Sequence, residues 1–163
     1  MRWMVGLAIF VAGNLLGAFI TQSSAAPQEK VMGLRLNHVG MYIKDFDESM
    51  NFYTKTMGFR EAFSVKDKDG KPTLTYLQIN RDTFLELSPA NDRPVGISHA
   101  GIWVDDIKGT VAALRQRGAK VDDPRTSPTK AIITNVTAPD GVRLELVDIT
   151  AESLHRKAID SWK

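Results

Sequence analysis

Apolar and polar residues alternate most clearly in two stretches, RLNHVGMYI from residue 35 and ISHAGIWV from residue 97. In the first, Val39, Met41 and Ile43 share one face of a strand and leave His38, Gly40 and Tyr42 on the other. In the second, Ala100, Ile102 and Val104 share a face opposite His99, Gly101 and Trp103. The two stretches align at an offset of 61 residues, with Asp45 matching Asp106. A period this long in two copies points to a duplicated supersecondary unit rather than a solenoid.

Each strand runs into a helix. Asp45 or Asp47 caps the first, Met50, Phe52, Tyr53 and Met57 give it an apolar side, and Gly58 ends it. Asp105 or Asp106 caps the second, Ile107, Val111 and Leu114 recur at helical spacing, and Gly118 ends it. Strands are then predicted over 59–65, 73–79 and 83–88, and again over 119–122, 130–137 and 142–149. Asp69-Gly70, residues 80–82 and Asp140-Gly141 provide turns. The prediction is an α+β fold of two βαβββ modules, 35–90 and 97–150, within one domain spanning 35–150. Both helices should cover the aliphatic sheet face. Residues 27–34 read as a linker and 151–163 as a short amphipathic helical tail on which His155 is a surface residue.

The last strand of each module adds a carboxylate. Leu85 and Leu87 flank Glu86, and Leu144 and Leu146 flank Glu145, so alternation turns both glutamates away from the leucines. Two histidines and two glutamates at matching positions of a repeat form a donor set for a divalent metal, which an ordinary core does not need. Arg143 shares the parity of Glu145, where it is either an anion-holding group or a solvent-facing strand residue. The 122–130 stretch, DDPRTSPTK, reads as a surface loop with the composition of a flap, and 65–71 as a solvated hairpin tip.

Composition narrows the setting. Arg2, the apolar run Trp3 to Ile20 and the small residues before Pro27 read as a signal peptide over 1–26. The expectation is an exported, periplasmic or secreted protein with no stable membrane association after cleavage. The alternative is an anchor, because the run approaches the roughly 20 residues that span a bilayer. A net charge of +2 gives no nucleic-acid footprint. The absence of cysteine excludes disulfides, thiolate ligands and a cysteine nucleophile.

The segment LNHVGMYIKDFDESMNFYTKTMGF resembles the first module of the vicinal oxygen chelate superfamily, and the resemblance extends over about 35–150. That superfamily includes glyoxalase I, methylmalonyl-CoA epimerase, extradiol dioxygenases, fosfomycin-resistance enzymes and bleomycin-binding proteins. It implies a curved mixed sheet cup built from two βαβββ modules. By similarity His38, Glu86, His99 and Glu145 are metal ligands. Dioxygenases use two histidines and one carboxylate, so the fourth position, Glu86, brings the set closest to glyoxalase I.

The resemblance implies a metal-dependent lyase or isomerase that moves a proton through a metal-stabilised enediolate. Glu145 is then the leading base and Glu86 its counterpart. Nickel, cobalt, zinc, manganese and iron all suit these ligands. The alternatives are an extradiol-type dioxygenase and a non-catalytic small-molecule binding protein. Many relatives hold glutathione with an arginine four residues after the first histidine, and Tyr42 occupies that place here. Tyr42 and Trp103 either stack on a small-molecule substrate or fill the cup wall. Pairing of such chains in the family implies a homodimer.

Overall fold

Two alternating strands with histidines at equivalent positions lie side by side at the centre of the sheet. The structure is a computed structural model that describes residues 33–163, so the expected signal peptide and most of the linker lie outside the described residues. Strands β1 (Arg35–Ile43), β2 (Arg60–Lys66), β3 (Pro72–Gln78) and β4 (Phe84–Pro89) form the first module. Strands β5 (Gly96–Trp103), β6 (Arg125–Thr126), β7 (Ile132–Thr137) and β8 (Arg143–Asp148) form the second. All eight join one mixed sheet in the order β2-β3-β4-β1-β5-β8-β7-β6. The sheet curves into the expected cup, with β1 antiparallel to β5 at the seam and each parallel to the last strand of its own module.

The helices form where the local signals lie. Asp45 caps α1 (Phe46–Asn51) by accepting from the Glu48 amide, and a π-helical turn over Phe52–Thr56 continues it. Asp106 caps α2 (Ile107–Gln116) by accepting from the Gly109 amide. Gly58 and Gly118 follow with φ of 75° and 85°, the left-handed conformation that a residue without Cβ adopts freely. Helix α1 packs Phe46 and Met50 against Val39, Met41 and Ile43, and α2 packs Ile107 and Val111 against Ile102 and Leu146. Both cover the convex aliphatic face.

Two expectations need correction. The strand expected at 119–122 is reduced to a bridge between Val121 and Val136, and the edge strand is β6, three residues further on. Pro124 lies between them and has no N–H to give a ladder. The tail does form a helix, α3 (Leu154–Asp160), capped by Ser153. Its His155 is not a surface residue, being 1% exposed. Ala158 and Ile159, three and four residues on, pack with Tyr76, Phe84, Trp103, Ile133 and Val147 on the concave face. The helix sits in the cup because its apolar side matches the apolar floor there. None of the helices among the described residues is long and apolar enough to cross a membrane.

Candidate metal centre

Strand register brings the four sequence-predicted ligands together from one chain. His38 is opposite Gly101 and His99 opposite Gly40 across the β1–β5 seam. A Cβ on Gly40 would lie 2.1 Å from the His99 ring, and one on Gly101 would lie 2.1 Å from the His38 ring. Each glycine therefore makes room for the other strand's imidazole. Strands β4 and β8 flank the seam and present Glu86 and Glu145 beside the rings.

One ligand atom from each of His38, Glu86, His99 and Glu145 lies within 4.8 Å of the others. The two Nε2 atoms are 3.0 Å apart. His38 Nε2 is 3.5 Å from Glu86 Oε2 and 3.6 Å from Glu145 Oε2, and His99 Nε2 is 3.8 Å from Glu86 Oε2. Metal bonds of about 2.0–2.2 Å set neighbouring ligands about 3.0 Å apart in an octahedron and about 3.4 Å in a tetrahedron. The donors are thus spaced to hold one divalent ion, and with no thiolate they suit a borderline or harder one.

The surrounding hydrogen bonds fix the rings. The register slips between Leu36 and His38, at Asn37, and again across the seam at Ser98. In both places the residue before the histidine offers an oxygen to its Nδ1: Asn37 Oδ1 at 3.0 Å from His38 and Ser98 Oγ at 2.8 Å from His99. The Asn37 amide nitrogen donates to the Asp82 carbonyl at 3.2 Å, which orients Oδ1 towards the ring. His38 thereby carries its proton on Nδ1 and turns a free Nε2 to the centre.

His99 differs because Arg143 Nη2 lies 2.5 Å from its Nδ1. A guanidinium has only protons to give, so Nδ1 accepts and the neutral ring's proton sits on Nε2, facing His38. Ligation by His99 through Nε2 would require that proton on Nδ1, where Ser98 Oγ, 2.8 Å away, would be its acceptor in place of the Arg143 contact. Arg143 therefore reaches the site while part of its side chain stays exposed, with Nη1 also 3.5 Å from Glu145 Oε1.

The carboxylates are not equivalent. Tyr76, opposite Glu86 in the β3–β4 register, donates a short hydrogen bond from its hydroxyl to Glu86 Oε2. The Glu145 carboxylate accepts no hydrogen bond from the described residues, with Arg143 Nη1 at 3.5 Å and His38 Nε2 at 3.6 Å from its oxygens. Burial, then the nearby Glu86 charge, push the Glu145 carboxyl up to about 7 against the pull of Arg143 and Arg125. Burial raises Glu86 as well, and the Tyr76 hydrogen bond opposes it. Burial lowers His38 well below its ordinary value and, with the Arg143 charge, brings His99 down to about 4. Both rings are neutral near pH 7, as a metal requires.

A cavity of about 120 Å³ opens beside the carboxylates, lined among others by Tyr76, Glu86, Glu145, Arg125, Ser127 and His155. The 122–130 stretch therefore contributes a wall of this cavity. Tyr42 and Trp103 do not line it. Tyr42 lies under the Arg93 guanidinium at 3.9 Å, and Trp103 packs in the concave core with Arg35 over its ring at 4.1 Å. A larger groove of about 460 Å³ near Lys44 and Arg93 holds none of the four ligands. Sequence reasoning missed Tyr76, Asn37, Arg125 and His155, whose reach depends on register, on a bulge and on where the tail docks.

The chain resembles known proteins in both sequence and fold. A probable lactoylglutathione lyase of Vibrio parahaemolyticus is 27% identical over 69% of this chain and 89% of its own length. The lactoylglutathione lyase of Haemophilus influenzae is 26% identical over 71% and 93%. A chloroplastic probable lactoylglutathione lyase of Arabidopsis thaliana is 28% identical over 70% of this chain, which spans 35% of that longer protein. Among solved structures, the methylmalonyl-CoA epimerase of Streptomyces coelicolor superposes with a TM-score of 0.62 at 24% identity, over 73% of this chain and 96% of that one. The family model for the glyoxalase/bleomycin resistance protein/dioxygenase superfamily matches residues 35–146, and the chain belongs to that superfamily.

Proposed function

We propose that this protein is a metal-dependent lyase or isomerase that moves a proton between neighbouring carbons of a small α-oxo substrate. The likeness to lactoylglutathione lyases supports the reaction class. The observation that carries the reading is the fourth ligand position: Glu86 stands beside Glu145 and is held by Tyr76, while Glu145 is held by no hydrogen bond among the described residues. A divalent ion held there supplies Lewis acidity to an adjacent carbonyl.

The chain's own groups move the proton. Glu145 takes it from the hydroxyl-bearing carbon next to the carbonyl, and the C–H electron pair forms a C=C bond as the carbonyl π pair moves onto its oxygen. Glu145 then returns the proton to the former carbonyl carbon while the hydroxyl proton passes from the first oxygen to the second, leaving the carbonyl on the first carbon. Glu86 stays in place, and Arg143 faces the carboxylate that changes charge. Epimerisation also removes and returns a proton beside a carbonyl, so the fold likeness to an epimerase fits the same site chemistry. Export through residues 1–26 is part of this proposal, and N-terminal sequencing of the mature protein tests it.

The test is deuterium incorporation from D2O. The full chain, loaded in turn with nickel, cobalt, zinc, manganese or iron, is given methylglyoxal with and without glutathione, and exchange beside the carbonyl is followed by NMR. The expected result is exchange with at least one metal, reduced by about 10²- to 10⁴-fold in Glu145→Gln and by less in Glu86→Gln. Oxygen uptake with catechols by the iron-loaded chain, with no exchange under any metal, would replace this reading with a ring-cleaving one.

A further inference from the structure

Helix α3 brings one more polar group to the cavity. His155 lies among aromatic rings, 4.5 Å from Tyr76, 4.9 Å from Phe63 and 5.4 Å from Phe84, centroid to centroid. Both of its ring nitrogens are buried without a hydrogen-bond partner among the described residues. A buried donor or acceptor left unpaired costs about 1–3 kcal/mol. Phenylalanine or leucine would fill such surroundings without that cost, so packing alone does not account for a histidine here. His155 is also among the residues that line the cavity shared by Glu86 and Glu145.

Helix α3 is also fastened in place. The Leu154 amide donates to the Thr129 carbonyl at 2.9 Å, and Arg60 donates to the carbonyls of Ala158 at 3.1 Å and Ser161 at 3.2 Å. Ile159, 1% exposed, holds its middle against the cup floor. The resulting cavity of about 120 Å³ is well below the roughly 300 Å³ at which pockets for drug-sized ligands begin.

We infer that His155 is a substrate-binding residue whose ring meets an oxygen of a small hydroxy- or oxo-carbonyl compound, and that α3 restricts the cavity to substrates without a tripeptide carrier. This rests on the proposed proton-transfer reading and names the substrate class within it. The single N–H of the neutral ring donates to the substrate's distal oxygen, or its lone pair accepts from a hydroxyl. The metal-facing oxygens lie at the other wall, beside Glu86 and Glu145.

The experiment titrates the nickel-loaded full chain with glycolohydroxamate, a small ligand with two chelating oxygens and a distal hydroxyl, and with a hydroxamate carried on the sulfur of glutathione. Wild type, His155→Phe and His155→Gln are compared by calorimetry, and nickel binding is measured in the same preparations. Glycolohydroxamate should bind about ten-fold more weakly to His155→Phe and recover to within about three-fold of wild type in His155→Gln. Nickel affinity should hold in both, and His155→Phe should melt no lower than wild type, since the His155 ring nitrogens make no hydrogen bond among the described residues. The glutathione-borne hydroxamate should bind wild type at least about ten-fold more weakly than the small one.

In the zinc-loaded wild type the ¹⁵N shifts of the His155 ring should move when glycolohydroxamate is added, which needs no variant to fold. Unmoved shifts, unchanged affinity in His155→Phe, or equal binding of the two hydroxamates would overturn the inference. A wild-type chain that takes no nickel would overturn the metal reading and this inference with it. One that binds nickel and hydroxamate without regard to His155 overturns the inference alone.

Discussion

Gly40 and Gly101 show how a single missing Cβ builds the site. The imidazole opposite each glycine occupies the volume a methyl group would take, at 2.1 Å from its place. Gly40→Ala or Gly101→Ala should therefore cost about 1–3 kcal/mol of stability. Each should also displace one ligand ring, so nickel affinity measured by calorimetry should fall together with the melting temperature. Arg143 acts the other way. Its guanidinium holds His99 in the tautomer that cannot ligate and places a positive charge beside an incoming cation. Arg143→Met should tighten nickel binding by about ten-fold at pH 8, where Glu145 is ionised, and the gain should shrink as salt is added. Unchanged or weaker binding in Arg143→Met would show that the guanidinium does not oppose the metal. The grouping of His38, Glu86, His99 and Glu145 was legible in the sequence because a repeat marks equivalent positions without any knowledge of register. Asn37, Tyr76 and Arg125 were not, since a side chain at a bulge or on a partner strand acquires its neighbour only when the strands pair.

Secondary elements divide in the same way between local and distant causes. The N-caps Asp45 and Asp106, and the glycines that end α1 and α2, act within a few residues of chain, which made both helices readable. Strand β6 depends on how the chain leaves Pro124 and meets Ile132 and Ile133, so its place was missed by three residues. The amphipathic pattern of α3 announced a helix but could not say which surface it would cover, and His155 was placed on the wrong side of the boundary. Docking of α3 into the concave face makes its stability part of the site's stability. Ser153, 0% exposed, caps α3 through the Arg156 amide, and Ser153→Ala should cost about 1 kcal/mol. Ile159→Ala, which removes a fully buried side chain, should cost about 2–5 kcal/mol. Urea unfolding of the two variants checks both values. Equal losses would mean that α3 is held by its end rather than by its face.

At the scale of the whole molecule, one ion would tie the two modules together across the seam, since each contributes one histidine and one glutamate. Without it, the fold confines two carboxylates and two imidazoles in a buried space, and pH decides which of them cost stability. Glu145, raised to about 7 in the fold from an ordinary 4.5, stabilises most below about pH 4.5 and loses that contribution as pH rises through 7. The loss is on the order of 3 kcal/mol. His99, lowered to about 4, and His155, lowered to about 3, act in the opposite sense. Their contribution is present above pH 6.5 and is lost as pH falls towards those values. A metal needs both carboxylates ionised and both coordinating rings neutral, so it binds best where the empty site is least stable on the Glu145 side. At a hundred-fold excess over its dissociation constant an ion adds about 2.7 kcal/mol. Below pH 7 its affinity must fall as Glu145 takes up a proton. The rise in melting temperature on adding nickel should therefore be largest at pH 8, smaller at pH 6 and nearly absent at pH 5, as measured by calorimetry. In Glu145→Gln the empty protein should no longer lose that increment of stability between pH 5 and 8. An equal nickel effect at pH 5 and pH 8 would mean that Glu145 is not part of the centre.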